Sequence, residues 1–176
     1  MAPISYQGPM QSDAKPEHTH SQTAEASLGA GQPGLTVRAI LADKGDEIFT
    51  VAPQTTVKEV VAELNRRRVG ALVVVDAGNR AVGIVSERDI VRNADSKGLE
   101  VFEKPVQDIM TPNPKTCFPE DKLETIMKQM TEGRFRHLPV LDGGKLCGLV
   151  SIGDVVRHRM LEIEYENLKM RQAIVG

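Results

Sequence analysis

The sequence predicts an α/β fold of the α+β kind: two copies of a β-α-β-β-α unit, followed by a C-terminal helix. Three observations predict it. The chain repeats itself in register across most of its length. Each copy carries an apolar stripe at helical spacing. Each also carries two short apolar runs joined by a turn.

The repeat comes first. Thr50 pairs with Thr116 and Pro53 with Pro119, a spacing of 66 residues. The same spacing pairs Val57, Val60, Val61 and Leu64 with Leu123, Ile126, Met127 and Met130. Both sets follow i, i+3, i+4, i+7, the buried face of a helix. Asp76 and Asp142 keep the spacing, and one residue is then lost in the turn. Gly83-Ile84-Val85-Ser86-Glu87-Arg88-Asp89 pairs with Gly148-Leu149-Val150-Ser151-Ile152-Gly153-Asp154. Val37 to Leu41 matches Val106 to Met110 more loosely.

Within a unit, the first strand is short and β-branched, Ile48 to Val51. The helix after it starts at Thr55 or Thr56, and Thr56-x-x-Glu59 has the spacing of a capping box. Ala71 to Val75 and Leu138 to Leu141 are continuous apolar runs, as expected of strands buried on both faces. Turns follow at Ala77-Gly78-Asn79 and Gly143-Gly144, and the Gly-Gly pair supplies the positive φ a two-residue hairpin demands. The third strands are Val82 to Val85 and Leu146 to Val150, and a short helix starts near Ser86 and Ser151. From Asp154 to about Ile174 there is no Gly or Pro, so one long helix is expected. Its heptad pairs Leu161/Leu168 and Ile163/Met170 suit packing on a partner subunit. The expected organisation is a disordered tail over 1–34, repeat 1 over 35–100, repeat 2 over 101–160 and the helical extension over 161–176. The tail, rich in Gln, Ser, Pro, Gly and Thr, cannot bury enough apolar surface to offset its ordering entropy.

Composition narrows the function. The 176 residues are 40 % hydrophobic but only 3 % aromatic, with no Trp and a net charge of -2. A near-neutral, aromatic-poor chain is unlike a nucleic-acid binder. No apolar run reaches the ~20 residues of a membrane helix, and the N-terminus lacks a signal-peptide core. Cys117 and Cys147 are read as buried free thiols, suited to a reducing cytoplasm. No Gly-x-Ser-x-Gly, Walker loop or metal-ligand cluster is present, so no enzyme is expected. The tail fragment His18-Thr19-His20 is too little to define a metal site.

The doubled Gly-h-Val-Ser-x-x-Asp, with Val69-Gly70-Ala71-Leu72-Val73-Val74-Val75-Asp76, Asp108-Ile109-Met110-Thr111 and Arg134-Phe135-Arg136-His137-Leu138-Pro139-Val140-Leu141-Asp142, resembles the CBS domain, named after cystathionine β-synthase. The resemblance implies two repeats packed about a pseudo-twofold axis with two clefts for adenosine-containing ligands. It implies no required cofactor, but a regulatory ligand: AMP, ADP, ATP, NAD or S-adenosylmethionine. It further implies a homodimer and a shape change passed to a second subunit or protein target; from the lack of a long apolar run, no membrane partner is expected.

The chemistry of the motifs agrees. An Asp carboxylate accepts hydrogen bonds from a ribose diol, and a Ser at a helix start presents its hydroxyl and nearby amides to phosphate. The same Ser-x-x-Asp spacing also makes a helix cap, and the two roles are compatible. By resemblance, the cleft of Ser151 and Asp154 borrows Thr50, Val69, Gly70 and Ala71 from repeat 1, keeps Arg136 and His137, and is expected to be the better site. The other cleft uses Ser86, Asp89, Thr116 and Phe135. Adenine is held by strand residues around Ala71 and Val150. Arg66-Arg67-Arg68 reads as cations meeting a helix dipole. The alternative function is a ligand-free dimerisation scaffold.

Overall fold

A computed structural model describes residues 35–45 and 47–175. The expected tail and His18-Thr19-His20 lie outside the described residues. In chain order the elements are α1 (Val37–Lys44), β1 (Thr50–Val51), α2 (Val57–Arg67), β2 (Ala71–Val75), β3 (Ala81–Ser86), α3 (Glu87–Lys97), two 3-10 turns (Leu99–Glu103 and Val106–Asp108), β4 (Thr111–Pro112), α4 (Leu123–Gly133), β5 (His137–Asp142), β6 (Lys145–Ser151) and α5 (Ile152–Val175). The mixed α/β architecture, the two repeats and the C-terminal helix are those expected from the sequence.

Each helix–strand–strand unit builds its own core. The helical stripes are buried as their spacing requires, with Val57, Val60 and Leu64 in one core and Leu123, Ile126 and Met130 in the other. α2 starts on the Thr56–Glu59 capping box; α4 starts on Lys122, whose side chain caps nothing. Both helices end on an arginine in the left-handed conformation, Arg68 and Arg134, each at φ 55°. Arg66 and Arg67 are engaged locally by Glu63, and Arg67 also lies over the Phe49 ring. In repeat 1, β1 runs parallel to β2, β2 antiparallel to β3, and β4 adds to the far edge of β3. In repeat 2, β5 and β6 form the hairpin, and the counterpart of β1 shrinks to one parallel bridge between Cys117 and Val140. The hairpin turns as expected, through Gly143 and Gly144 at φ 54° and 81°. Cys117 and Cys147 are both free; Cys117 is buried and Cys147 half-buried. Burial pushes the Cys117 thiol up to about 12.

The units are tied by a reciprocal exchange. Val37 and Ile40 of α1 are buried in the core of repeat 2, whereas Val106 and Ile109 are buried in the core of repeat 1. Burying each such side chain is worth about 1.5–3 kcal/mol, which holds an eight-residue helix too short to persist alone. The backbone repeats the exchange. Val37 and Arg38 N–H donate to the carbonyls of Asp121 and Pro119, at 2.9 and 2.8 Å. Val106 and Gln107 N–H donate to those of Thr55 and Pro53, at 2.8 and 3.2 Å. The first donors of α1, which no helix can satisfy internally, therefore find acceptors in the other repeat. Glycine permits the contact. A Cβ on Gly83 would stand 2.2 Å from Met110 Sδ, and one on Gly148 2.4 Å from Leu41 Cδ2.

α5 closes the molecule against α1. The Leu35 N–H donates to Glu162 Oε1 at 2.9 Å, and Glu162, nearly fully buried, also pairs with Arg159. Asp43 faces His158 and Arg157, each at 3.7 Å.

Candidate functional site

Ser86 and Ser151 each end a third strand and begin a helix. Ser86 N–H and Oγ donate to Asp89 Oδ2 at 2.9 and 2.6 Å, and Asp89 N–H returns to Ser86 Oγ at 3.4 Å. Ser151 and Asp154 repeat this at 2.8, 2.8 and 3.2 Å. Both Ser-x-x-Asp motifs are thus helix caps. In each, the cap engages only one carboxylate oxygen, Oδ2, and leaves Oδ1 for other contacts.

Around the first cap lies a cleft of about 550 Å³ between the repeats, within the range of small-molecule sites. Repeat 1 supplies Gly70, Ile84, Ser86, Glu87, Arg88, Asp89 and Arg92. The crossing segment supplies Thr111, Asn113, Pro114 and Lys115, and the end of α4 with the start of β5 supplies Gly133 to His137. Five cations therefore line it: Arg88, Arg92, Lys115, Arg134 and Arg136. Among the described residues none of the five forms a salt bridge. The acids on the wall are Glu87 and Asp89.

Of the residues singled out from sequence, this cleft gathers Gly70, Ser86, Asp89, Phe135, Arg136 and His137. Arg136 and His137, assigned by resemblance to the Ser151–Asp154 cleft, line the Ser86–Asp89 cleft. Thr50 opens β1, Val69 and Ala71 flank Gly70, Thr116 precedes the Cys117 bridge, and Val150 and Ser151 end β6; none of these lines this cleft. His137 sits beside repeat 1, its Nε2 3.6 Å from where a Gly70 Cβ would stand. Burial pushes the imidazole below its ordinary value; Asp154 and Asp89 oppose the shift while Lys44 and Arg136 add to it. A neutral ring at neutral pH follows. For Asp154, burial raises the carboxyl, but the Ser151 amide and hydroxyl and the Lys44 ammonium outweigh it and hold the group below its ordinary value.

Sequence reasoning missed Arg88, Arg92 and Lys115. Arg88 and Arg92 are four apart on α3, one helical turn, and so share a face; that spacing was the available signal.

Two βαββα units with a cleft between them and a doubled Ser-x-x-Asp define a paired ligand-binding module. Residues 37–96 and 106–161 each match the CBS domain family. The chain belongs to the CBS domain family. It is 39 % identical over 155 residues to the Arabidopsis thaliana CBS domain-containing protein CBSX3, mitochondrial, covering 84 % of this chain and 75 % of that one. Other relatives are longer: the match spans 28 % of Arabidopsis CBSCBSPB1. Among solved structures, the CBS-domain protein ATU1752 of Agrobacterium tumefaciens is similar at TM-score 0.69 and 38 % identity, over 70 % of this chain and 98 % of that one. PAE2072 of Pyrobaculum aerophilum, complexed with AMP, is similar at TM-score 0.65 and 26 % identity, over 76 % and 99 %. Among the described residues, no helix is long and apolar enough to cross a membrane, and no group of three or more His, Cys, Asp or Glu could hold a metal ion.

Proposed function

We propose that this chain is a regulatory, non-catalytic module that binds an adenosine nucleotide in the Ser86–Asp89 cleft. The observation that carries the reading is the cleft itself, where a ribose-competent carboxylate stands among five cations that form no salt bridge among the described residues. Asp89 Oδ1 accepts a ribose hydroxyl. The Ser86 end of α3 and the cations Arg88, Arg92, Arg134 and Arg136 take the phosphates. Gly70, Phe135 and His137 pack beside the base. AMP bound to a similar structure supports the ligand class; ADP, ATP, NAD and S-adenosylmethionine are the other adenosine compounds to compare. By the internal repeat we assign Thr50, Val69, Ala71, Val150, Ser151 and Asp154 to a counterpart cleft.

A ligand gripping both repeats favours one relative orientation of them. α5, continuous with the Asp154 cap, carries that change outward. Its exposed Val156, Met160, Ile163, Leu168 and Met170 suit a homodimer contact or a protein target. That same apolar face favours the second reading, an interaction scaffold with empty clefts. The two free thiols suit a reducing cytoplasmic compartment.

Isothermal titration with AMP, ADP, ATP, NAD and S-adenosylmethionine tests the reading. Saturable binding of one of them, lost in Asp89→Ala and weakened in Arg136→Ala, is expected. A folded wild type that binds none of the five leaves the scaffold reading.

A further inference from the structure

We infer that Lys44 closes the Ser151–Asp154 cleft in cis, so that the chain offers a nucleotide one site where its internal symmetry would offer two. This rests on the nucleotide reading above and adds a residue that sets the number of sites. The two clefts start from one design, with equal caps at Ser86–Asp89 and Ser151–Asp154. Their walls correspond as well: Ile84 lines the first cleft, and Leu149 is its counterpart.

The difference lies in the crossing segments. These occupy equivalent places as far as Met110 over Gly83 and Leu41 over Gly148. After Met110 the chain extends, pairs as β4 with β3, and turns at Asn113 (φ 46°). Thr111, Asn113, Pro114 and Lys115 then become one wall of the first cleft. After Leu41 the chain instead stays helical to Lys44 and stops at Gly45, whose N–H donates to the Leu41 carbonyl. That added turn delivers the Lys44 ammonium to the other cleft. Nζ donates to the Leu149 carbonyl and to Asp154 Oδ2, both at 3.0 Å.

Lys44 therefore bridges the counterparts of two residues that line the first cleft, Ile84 and Asp89. A nucleotide entering this cleft competes with the ammonium for the Leu149 carbonyl and for the charge of the Asp154 carboxylate. The end of α1 is also pinned, because the neighbouring Asp43 faces Arg157 and the buried His158 of α5. The charges differ in the same sense. The Lys44 cation is spent on Asp154, whereas five cations of the first cleft have no salt-bridge partner among the described residues.

The test counts sites. Wild type, Lys44→Ala, Lys44→Gln, Lys44→Arg and Lys44→Ala/Asp154→Ala are titrated with AMP and, separately, ATP, after thermal melting shows that each is folded. Lys44→Gln removes the charge but keeps most of the side chain, and stands in if Lys44→Ala does not fold. The expected result is one more site per chain in Lys44→Ala or Lys44→Gln than in wild type, lost again when Asp154→Ala is added, with Lys44→Arg behaving as wild type. Equal site numbers in wild type and the neutral variants overturn the inference, as does an added site that survives Asp154→Ala. If the shared number is zero, the nucleotide reading falls as well; if it is one or two, that reading stands and only the role of Lys44 falls.

Discussion

At Gly83 and Gly148 a hydrogen atom stands where any other residue would push into the crossing segment of the opposite repeat. Gly148→Ala should cost about 1–3 kcal/mol, the usual range for overpacking, because Leu41 is branched and held in the second core. Gly83→Ala should cost less, because the unbranched Met110 thioether can swing aside. Thermal melting of the two variants checks the order; equal midpoints with wild type would show that neither contact is tight. His137 gives a second prediction. Its folded-state value lies below the 6.5 of a free imidazole, so the folded chain resists protonation there. The associated stability is whole above pH 6.5 and is lost as pH falls from 6.5 through the folded value. A melting midpoint followed downward from neutral pH should fall in that window, and His137→Gln should flatten the fall. At this scale the sequence was readable where a residue type recurred in register. Ser86, Asp89, Ser151 and Asp154 stood out because each motif occurs twice. Arg88 and Arg92 did not, since the register pairs Arg88 with Gly153, and an exposed arginine has the same appearance whether it faces solvent or a cleft. Lys44 was hidden for another reason: its partners lie more than a hundred residues away.

Among the elements, the matched helices α2 and α4 differ at their first residue. α2 begins on Thr56 with a complete capping box, and α4 begins on Lys122 with none. Lys122→Thr, which copies the residue of repeat 1, should stabilise the protein by up to about 1 kcal/mol. Denaturant midpoints measure it, and a loss of stability would mean that Lys122 makes a contribution its exposed side chain does not reveal. The helices and hairpins were legible from periodicity, because a stripe at i, i+3, i+4, i+7 has one way to be buried. β4 was not: two residues, one of them Pro112, carry no strand pattern, and the sheet edge of β3 decides their conformation. α1 was equally obscure. Its pairing with Val106 to Met110 was visible, yet one copy is a helix and the other a single turn followed by a strand, a difference set by what each meets in the opposite repeat.

Across the whole molecule, the two cores unfold together or not at all, since each holds residues from the other side of the chain. Urea denaturation should therefore show one transition by fluorescence-independent probes such as circular dichroism, there being no Trp. Under the proposed function, nucleotide at 100 times its dissociation constant should add about 2.7 kcal/mol, and Asp89→Ala should abolish that gain while leaving the single transition. The exchanged segments also set a timetable for synthesis. As the chain leaves the ribosome, repeat 1 emerges with its core incomplete, because Val106 and Ile109 are still inside the exit tunnel. α1, the first described element to appear, has nowhere to lodge until α4 and the β5–β6 hairpin follow. The nascent chain thus exposes an apolar Val37–Ile40 stripe until repeat 2 has been made, and α5, which follows both repeats, is the element that finally seals α1.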